Sequence, residues 1–301
     1  MRKFLSILYC VVFVYQTASA QTWAEVSSDP EHYVWGEGWG KTLEEADNQA
    51  LSMLASKISL IVYNEFHSVE GQASTSNGSS RYASIENTLH AFSSASLTNT
   101  GVEVLEKGRH PHIVRWIRKE DINRMTDRRG TRVLELVAEA ERCEQAGKVG
   151  DAIRGYYWAY AMVRSYQDIS KSSYTDDNGI SHILMNWLPE KLGSILSDIR
   201  ATVQSLGGGS AVLSFSFRGK PLSGIDFFYF DGSRWSGPVN VRGGRQAIEL
   251  AYNSRPEYLH IRYEYAYTAE ARSDRELSYA LEKMKDEPLR KANVALYCNK
   301  Y

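Results

Sequence analysis

The sequence predicts an α+β protein in three parts: an N-terminal helix-on-sheet domain, a central helical hairpin region, and a small antiparallel β-sandwich of Ig-like type at the C-terminal end. Three observations predict it. A glycine-rich strand pattern runs into a long amphipathic helix near residue 42, and a helical period holds from about Arg132 to Leu206. Beyond Gly207-Gly208-Gly209 the chain turns to short alternating segments between turns. The expected spans are 21–130, 131–206 and 210–272, with a leader at 1–20 and a tail at 273–301.

The leader opens with Arg2 and Lys3, carries an apolar run from Phe4 to Tyr15, and closes on Thr17-Ala18-Ser19-Ala20. A charged start, a short apolar core and a small-residue end are the three zones of a secretory signal. The run is too short to cross a hydrocarbon layer of about 30 Å, and no later segment is long enough either. Cys10 follows Tyr9 inside the run, rather than a small residue at its end, so it does not read as a lipid attachment site. The expected mature start is Gln21, and the expected location is the periplasm, the outer membrane periphery or the medium.

The sequence carries 35 Lys+Arg against 36 Asp+Glu, and loss of Arg2 and Lys3 leaves a balance of −3. Without a basic field there is nothing to draw in nucleic acid, which is excluded as a partner. Cys143 and Cys298 remain after the leader, too few for a disulfide framework. Cys143 falls in a helical pattern where a small buried residue is wanted.

Residues 32 to 40 read as a strand entering a glycine-rich turn. Thr42 and Glu45 form a capping box, and the helix runs to about Phe66. Its apolar face is Leu43, Ala46, Ala50, Leu54, Ile58, Ile61 and Val62, with Asp47, Asn48, Lys57 and Glu65 on the wet side. Residues 67–80 read as a loop. Weak alternation follows from Tyr82 to Glu106, and a firm strand from His112 to Arg118. Asp121 to Arg128 closes the unit.

Leu134, Val137, Ala138 and Glu141 then lead to Gly147, and Ala152, Tyr156, Ala159 and Val163 mark the returning helix. Residues 170–180 read as a loop. A third helix is expected from His182 to Leu206, kinked at Pro189. Gly207-Gly208-Gly209 is expected to be an interdomain hinge. Strands follow at Ala211–Phe217, Ile225–Phe230, Gln246–Ala251 and Tyr258–Tyr267, with tight turns at Pro221–Gly224 and Asp231–Gly232. From Ser273 a short helix and a stray apolar segment complete the tail.

The stretch from Gly36 through Gly38, Gly40 and Thr42 to Ala46, Ala50, Ala55, Ser56 and Ile58 resembles the exported bacterial Lpp-twenty lipoprotein family over about residues 30–125. That resemblance implies an envelope-associated helix-on-sheet domain without catalytic residues. Gln21 stands where a lipoprotein of that family would begin on cysteine. The helical pair resembles one tetratricopeptide unit, with Leu136, Ala140, Gly147, Ala152, Tyr156 and Ala159 at its characteristic places. A single copy reads as a brace, since a solenoid needs about three.

The Gly36-x-Gly38-x-Gly40-Lys41-Thr42 run is not a phosphate loop, because Trp35 holds the position of its first glycine. It lacks the dinucleotide spacing too; close packing of helix on strand explains the glycines. His110-Pro-His112 offers two imidazoles without a third ligand. Glu44-Glu45 and Asp176-Asp177 read as solvated surface, and no serine has nucleophile-elbow spacing. No catalytic residue, cofactor or metal is expected. The candidate contact face is Trp235 with Tyr263, Tyr265 and Tyr267, the three tyrosines sharing one parity of a strand. The expected function is a non-enzymatic exported envelope protein, a scaffold or interaction module. The alternative is a carbohydrate- or peptidoglycan-binding protein using the aromatic β domain. The partner classes are accordingly an envelope protein or a glycan.

Overall fold

The structure, a computed structural model, describes residues 21–68, 100–165, 172–251, 256–284 and 289–298. The leader, Tyr82 and the first part of the alternation after it, and nearly all of the loop expected at 67–80 lie outside the described residues. The fold is mixed α+β, with six α-helices among the described residues and sheets that are antiparallel throughout.

The first unit comprises α1 (Trp23–Ser27), β1 (Tyr33–Trp39), α2 (Leu43–Ser68), β2 (Gly101–Glu106) and β3 (His112–Arg118), with strand order β1-β3-β2. Val34, Gly36 and Gly38 share the β1 parity that faces α2. A Cβ on Gly36 would lie 2.2 Å from the Ala50 carbonyl oxygen, and one on Gly38 would lie 2.1 Å from that of Ala46. The helix backbone therefore rests directly on the strand backbone, and alanines at 46 and 50 complete the fit with no exposed surface. Leu54, Ala55 and Ile58 continue the buried stripe. Gly40 lies level with Ala46, so Leu43 overhangs the sheet by a turn and is half exposed, contrary to the sequence reading.

The cap forms in altered register. Thr42 Oγ1 accepts the Glu45 N–H at 3.1 Å, whereas the Glu45 carboxylate accepts from Lys41 rather than from Thr42. Asp47 is not on a wet side: it takes a two-pronged ion pair from Arg115 of β3, at 2.6 and 2.8 Å. Along the free edge of β1 the N–H groups of Trp39 and Glu37 donate to Gln49 Oε1 and Met53 Sδ of α2. Edge donors occupied in this way offer no template for another strand. The outer face of the sheet is covered by α1, whose Val26 packs on Val114 and Trp116.

Helix α3 (Lys119–Gln145) runs without a break through residue 130, where the sequence places a domain boundary. Its first turns put Ile122 and Met125 into the core under α2. Its later turns put Val133, Val137 and Ala140 into the main core: Val137 is buried as expected, while the expected Leu134 and Ala138 each lie one residue past the buried stripe. Gly147, at φ +73°, ends it, with the Lys148 N–H reaching back to the Cys143 carbonyl. Helix α4 (Val149–Ser165) is the hub, buried on nearly every side by α3, by α5 (Leu184–Asp198), by α6 (Arg275–Lys283) and by the loop segments at Gly224 and Tyr265–Tyr267.

Three expectations beyond this point are corrected. The third helix ends at Asp198, and Ile199–Gly207 is a strand, β6, paired with β7 (Ser210–Phe217). Gly208 and Gly209, at φ +61° and +77°, are therefore the two-residue turn of a hairpin and not a hinge. The tail is integral, because Asn293–Tyr297, β13, pairs with β12 (Tyr258–Tyr263). Between these elements lie β4 (Ser173–Thr175), β5 (Ser181–Ile183), β8 (Lys220–Pro221), β9 (Asp226–Tyr229), β10 (Val239–Asn240) and β11 (Arg245–Glu249). One sheet runs β11-β7-β6 with β8 attached to β7, and the other runs β10-β9-β12-β13. Phe215 of the first meets Phe227 of the second with ring centroids 4.9 Å apart. One buried cluster spans the helices and both sheets.

The turn of the helical hairpin is locked by Glu144, whose side chain is 10% exposed. It accepts from the Tyr156 hydroxyl at 3.1 Å, from Lys191 at 3.0 Å and from Arg218 at 3.1 Å. Burial, reinforced by Glu144, pushes the Tyr156 phenol far up from its usual range. Cys143 and Cys298 are free thiols.

Candidate contact site on the C-terminal sheet

Parity along β12 sets the site. Leu259, Ile261 and Tyr263 point into the core, while Tyr258, His260 and Arg262 point to solvent. Tyr263 is 1% exposed, and its hydroxyl has no hydrogen-bond partner among the described residues. The strand stops there. Tyr265 packs edge-on against Tyr157 of α4 at 4.8 Å, and Tyr267, at φ +47°, is buried beneath the Arg154 guanidinium. Burial raises all three phenols above their usual range. The expected face of Trp235, Tyr263, Tyr265 and Tyr267 is thus not formed: the tyrosines serve the core and the joint with α4, and only Trp235 stays open.

The outer face carries other aromatic groups. Tyr258 and Tyr297 pair across β12 and β13 at 5.6 Å, both about half exposed. Arg262 lies over Phe228 at 5.0 Å and over Trp235 at 5.3 Å. The signal was present in the sequence, since Leu259 and Ile261 fix the inward parity and Tyr258, His260 and Arg262 take the other.

Trp235 is 44% exposed yet firmly held. Phe230 meets its ring edge-on at 5.9 Å, and the two residues form a backbone bridge. The loop between them is built on Asp231, whose Oδ1 accepts from the Ser233 N–H at 2.7 Å, the Ser233 hydroxyl at 2.8 Å and the Arg234 N–H at 2.9 Å. Those bonds, the Arg234 N–H foremost, hold the Asp231 carboxyl below the usual carboxylate range. Two further backbone bonds fasten the loop, Ser236 N–H to Tyr229 and Ala251 N–H to Asp231, each 2.8 Å. Beside it opens a cleft of about 480 Å³, lined by Trp235, Tyr229, Asp231, Arg234, Ser236 and Glu249 among others.

No family model, curated protein or solved structure matches this chain.

The remaining sequence candidates have structural roles. His112 stacks on Trp39 at 4.3 Å and approaches Glu37 at 3.1 Å, while His110 precedes the strand. No group of three metal-ligating side chains occurs among the described residues. Asp176 organises the β4–β5 turn by accepting from the Asn178 and Ile180 N–H groups and pairing with His182. No helix among the described residues is long and apolar enough to cross a membrane. What the Trp235 site offers chemically is a rigid aromatic surface, the pinned Asp231 carboxylate with the exposed Glu249 on the same wall, and an open mouth: the parts of a binding site for a small polar ligand.

Proposed function

We propose that this chain is an exported, non-enzymatic protein of the bacterial cell envelope, a scaffold or interaction module that works by binding. Recognition falls to its C-terminal β half, read as a small Ig-like sandwich, with the Lpp-twenty-like domain as the envelope-associated part. The observation that carries the binding reading is Trp235: a large aromatic group left 44% exposed although a cation, a second ring and a pinned loop fix its position. Rigid aromatic anchors lose little side-chain entropy on contact, which is why they dominate recognition surfaces. The leader pattern at residues 1–20 supports export, and the Phe215–Phe227 contact between the two sheets supports the sandwich.

Expression of the full chain in a bacterial host, followed by fractionation and N-terminal sequencing, tests the reading. The mature protein should begin at Gln21 and sediment with purified envelope fragments, and Trp235→Ala should lose that sedimentation while folding normally. Retention in the cytoplasm with Met1 in place would overturn export. Sedimentation indifferent to Trp235 would overturn the assignment of binding to this half.

A further inference from the structure

We infer that the cleft beside Trp235 is a subsite for a neutral saccharide, with one pyranose ring stacked on the indole. This rests on the binding reading above and names the ligand class.

Three features of the cleft carry it. The first is the aromatic platform. The C–H bonds on one face of a pyranose are polarised positive and meet the negative face of an aromatic ring, in the sense in which such rings attract edges and cations. A sugar gains from this only where the ring is already in place, and Trp235 is held by Phe230 at 5.9 Å, by Arg262 at 5.3 Å and by the backbone bridge to Phe230.

The second is the pattern of acceptors. Asp231 spends Oδ1 on three donors of its own loop, while among the described residues Oδ2 has only the Arg234 Nε at 3.8 Å, beyond hydrogen-bond range. Asp231 is thus an immobilised carboxylate with an oxygen to spare at the cleft wall. Glu249, exposed at the end of β11, supplies a second carboxylate on the same cleft. Hydroxyl-rich ligands are the ones that bring donors to such acceptors. An apolar peptide side chain would leave both carboxylates desolvated and unmatched.

The third is charge. Among the described residues that line the cleft, two carboxylates, Asp231 and Glu249, face one guanidinium, that of Arg234, whose side chain is 86% exposed and solvated, while Arg262 lies against the Trp235 ring outside that lining. The balance disfavours uronic, sulfated or phosphorylated sugars, and a neutral sugar incurs no such penalty. The volume of about 480 Å³ lies within the range of small-ligand sites, about 300–1,000 Å³.

Titration calorimetry on the mature chain, residues 21–301, with cellotriose, triacetylchitotriose and trigalacturonate tests the assignment. The two neutral sugars, or one of them, should bind, and trigalacturonate should bind at least about tenfold more weakly. Trp235→Ala should weaken the neutral ligand about tenfold or more, with Trp235→Phe recovering part of the loss. Glu249→Gln, at an exposed position, should narrow the preference against trigalacturonate without altering thermal stability. Absence of heat with both neutral sugars at millimolar concentration overturns the inference, as does preferred binding of the anionic sugar or affinity unmoved by Trp235→Ala. If the sugars fail while sedimentation with envelope fragments still depends on Trp235, the saccharide assignment falls and the binding reading stands. If that sedimentation is lost for the wild-type chain, the binding reading itself falls.

Discussion

Replacing Gly38 with alanine adds a single methyl group, and the structure sets what it meets. The new carbon would lie 2.1 Å from the Ala46 carbonyl oxygen and 2.3 Å from the Ala50 nitrogen, both backbone atoms of α2. Ordinary carbon contacts sit at about 3.5–4.0 Å, so the helix must lift by more than about 1 Å. Lifting it opens the seam where Ala46, Ala50, Leu54 and Ile58 are wholly buried. Overpacking a core commonly costs about 1–3 kcal/mol, and a clash with backbone that cannot rotate away belongs at the top of that range or above it, about 3 kcal/mol. Gly207→Ala is the control, because a Cβ there meets nothing within 4 Å and needs no left-handed backbone; it should change stability by no more than about 0.5–1 kcal/mol, in the stabilising direction. Urea unfolding of both variants of residues 21–301, followed by far-UV circular dichroism, gives the comparison. Equal midpoints for Gly38→Ala and Gly207→Ala would refute the claim that these glycines exist for the approach of α2.

Further outcomes follow from other positions. Glu144→Gln removes the charge shared by Lys191 and Arg218 while keeping an acceptor for Tyr156; since both cations are partly solvated, the loss should be about 1–2 kcal/mol by chemical denaturation, and an unchanged midpoint would count against the lock. Gly209→Ala forces a methyl-bearing residue to φ +77° and should cost about 1–2 kcal/mol, measurable as a lowered thermal midpoint, whereas a flexible hinge would tolerate it. The Asp231 carboxyl is depressed in the folded state, so the stability it lends its loop is complete above its unfolded pKa of about 3.9 and is lost as pH falls through the lower folded value. An NMR titration following the Ser233 and Arg234 amide resonances should therefore show the loop intact at pH 4.5 and melting only in stronger acid; melting above pH 5 would contradict the hydrogen-bond scheme.

Local signals made the first unit legible and longer-range ones hid the rest. Glycines two apart in β1 and alanines four apart in α2 encode the contact in short stretches, so helix, strand and their approach are readable together. Ile199–Leu206 is different. Its strand character depends on pairing with β7, and the sequence before it is helical, so a helix reading simply runs on. The tail likewise becomes a strand only because β12 is there to receive it. At the candidate site the aromatic content is legible but the face is inverted: Tyr263, Tyr265 and Tyr267 suggest an outward row by their alternation, although Leu259 and Ile261 share their parity and mark it as inward. Helix α1 has too few residues for a hydrophobic period to mark it, yet Thr22 and Glu25 carry the cap signature, and the Thr22 N–H does donate to the Glu25 carboxylate.

Helix α3 belongs to two cores at once, with Ile122 in one and Val137 in the other, and its middle is fastened to α6 where Arg129 and Arg132 meet Glu276 and Asp274. Its 27 residues make a rod about 40 Å long. The number of residues between those two sets of anchors therefore fixes a dihedral setting between the halves of the molecule. Inserting one residue after Arg132 would turn one half against the other by about 100° and tear the arginine clasp, whereas adding a whole turn would restore the heading and change only the spacing. Orientation in this protein is written as a length.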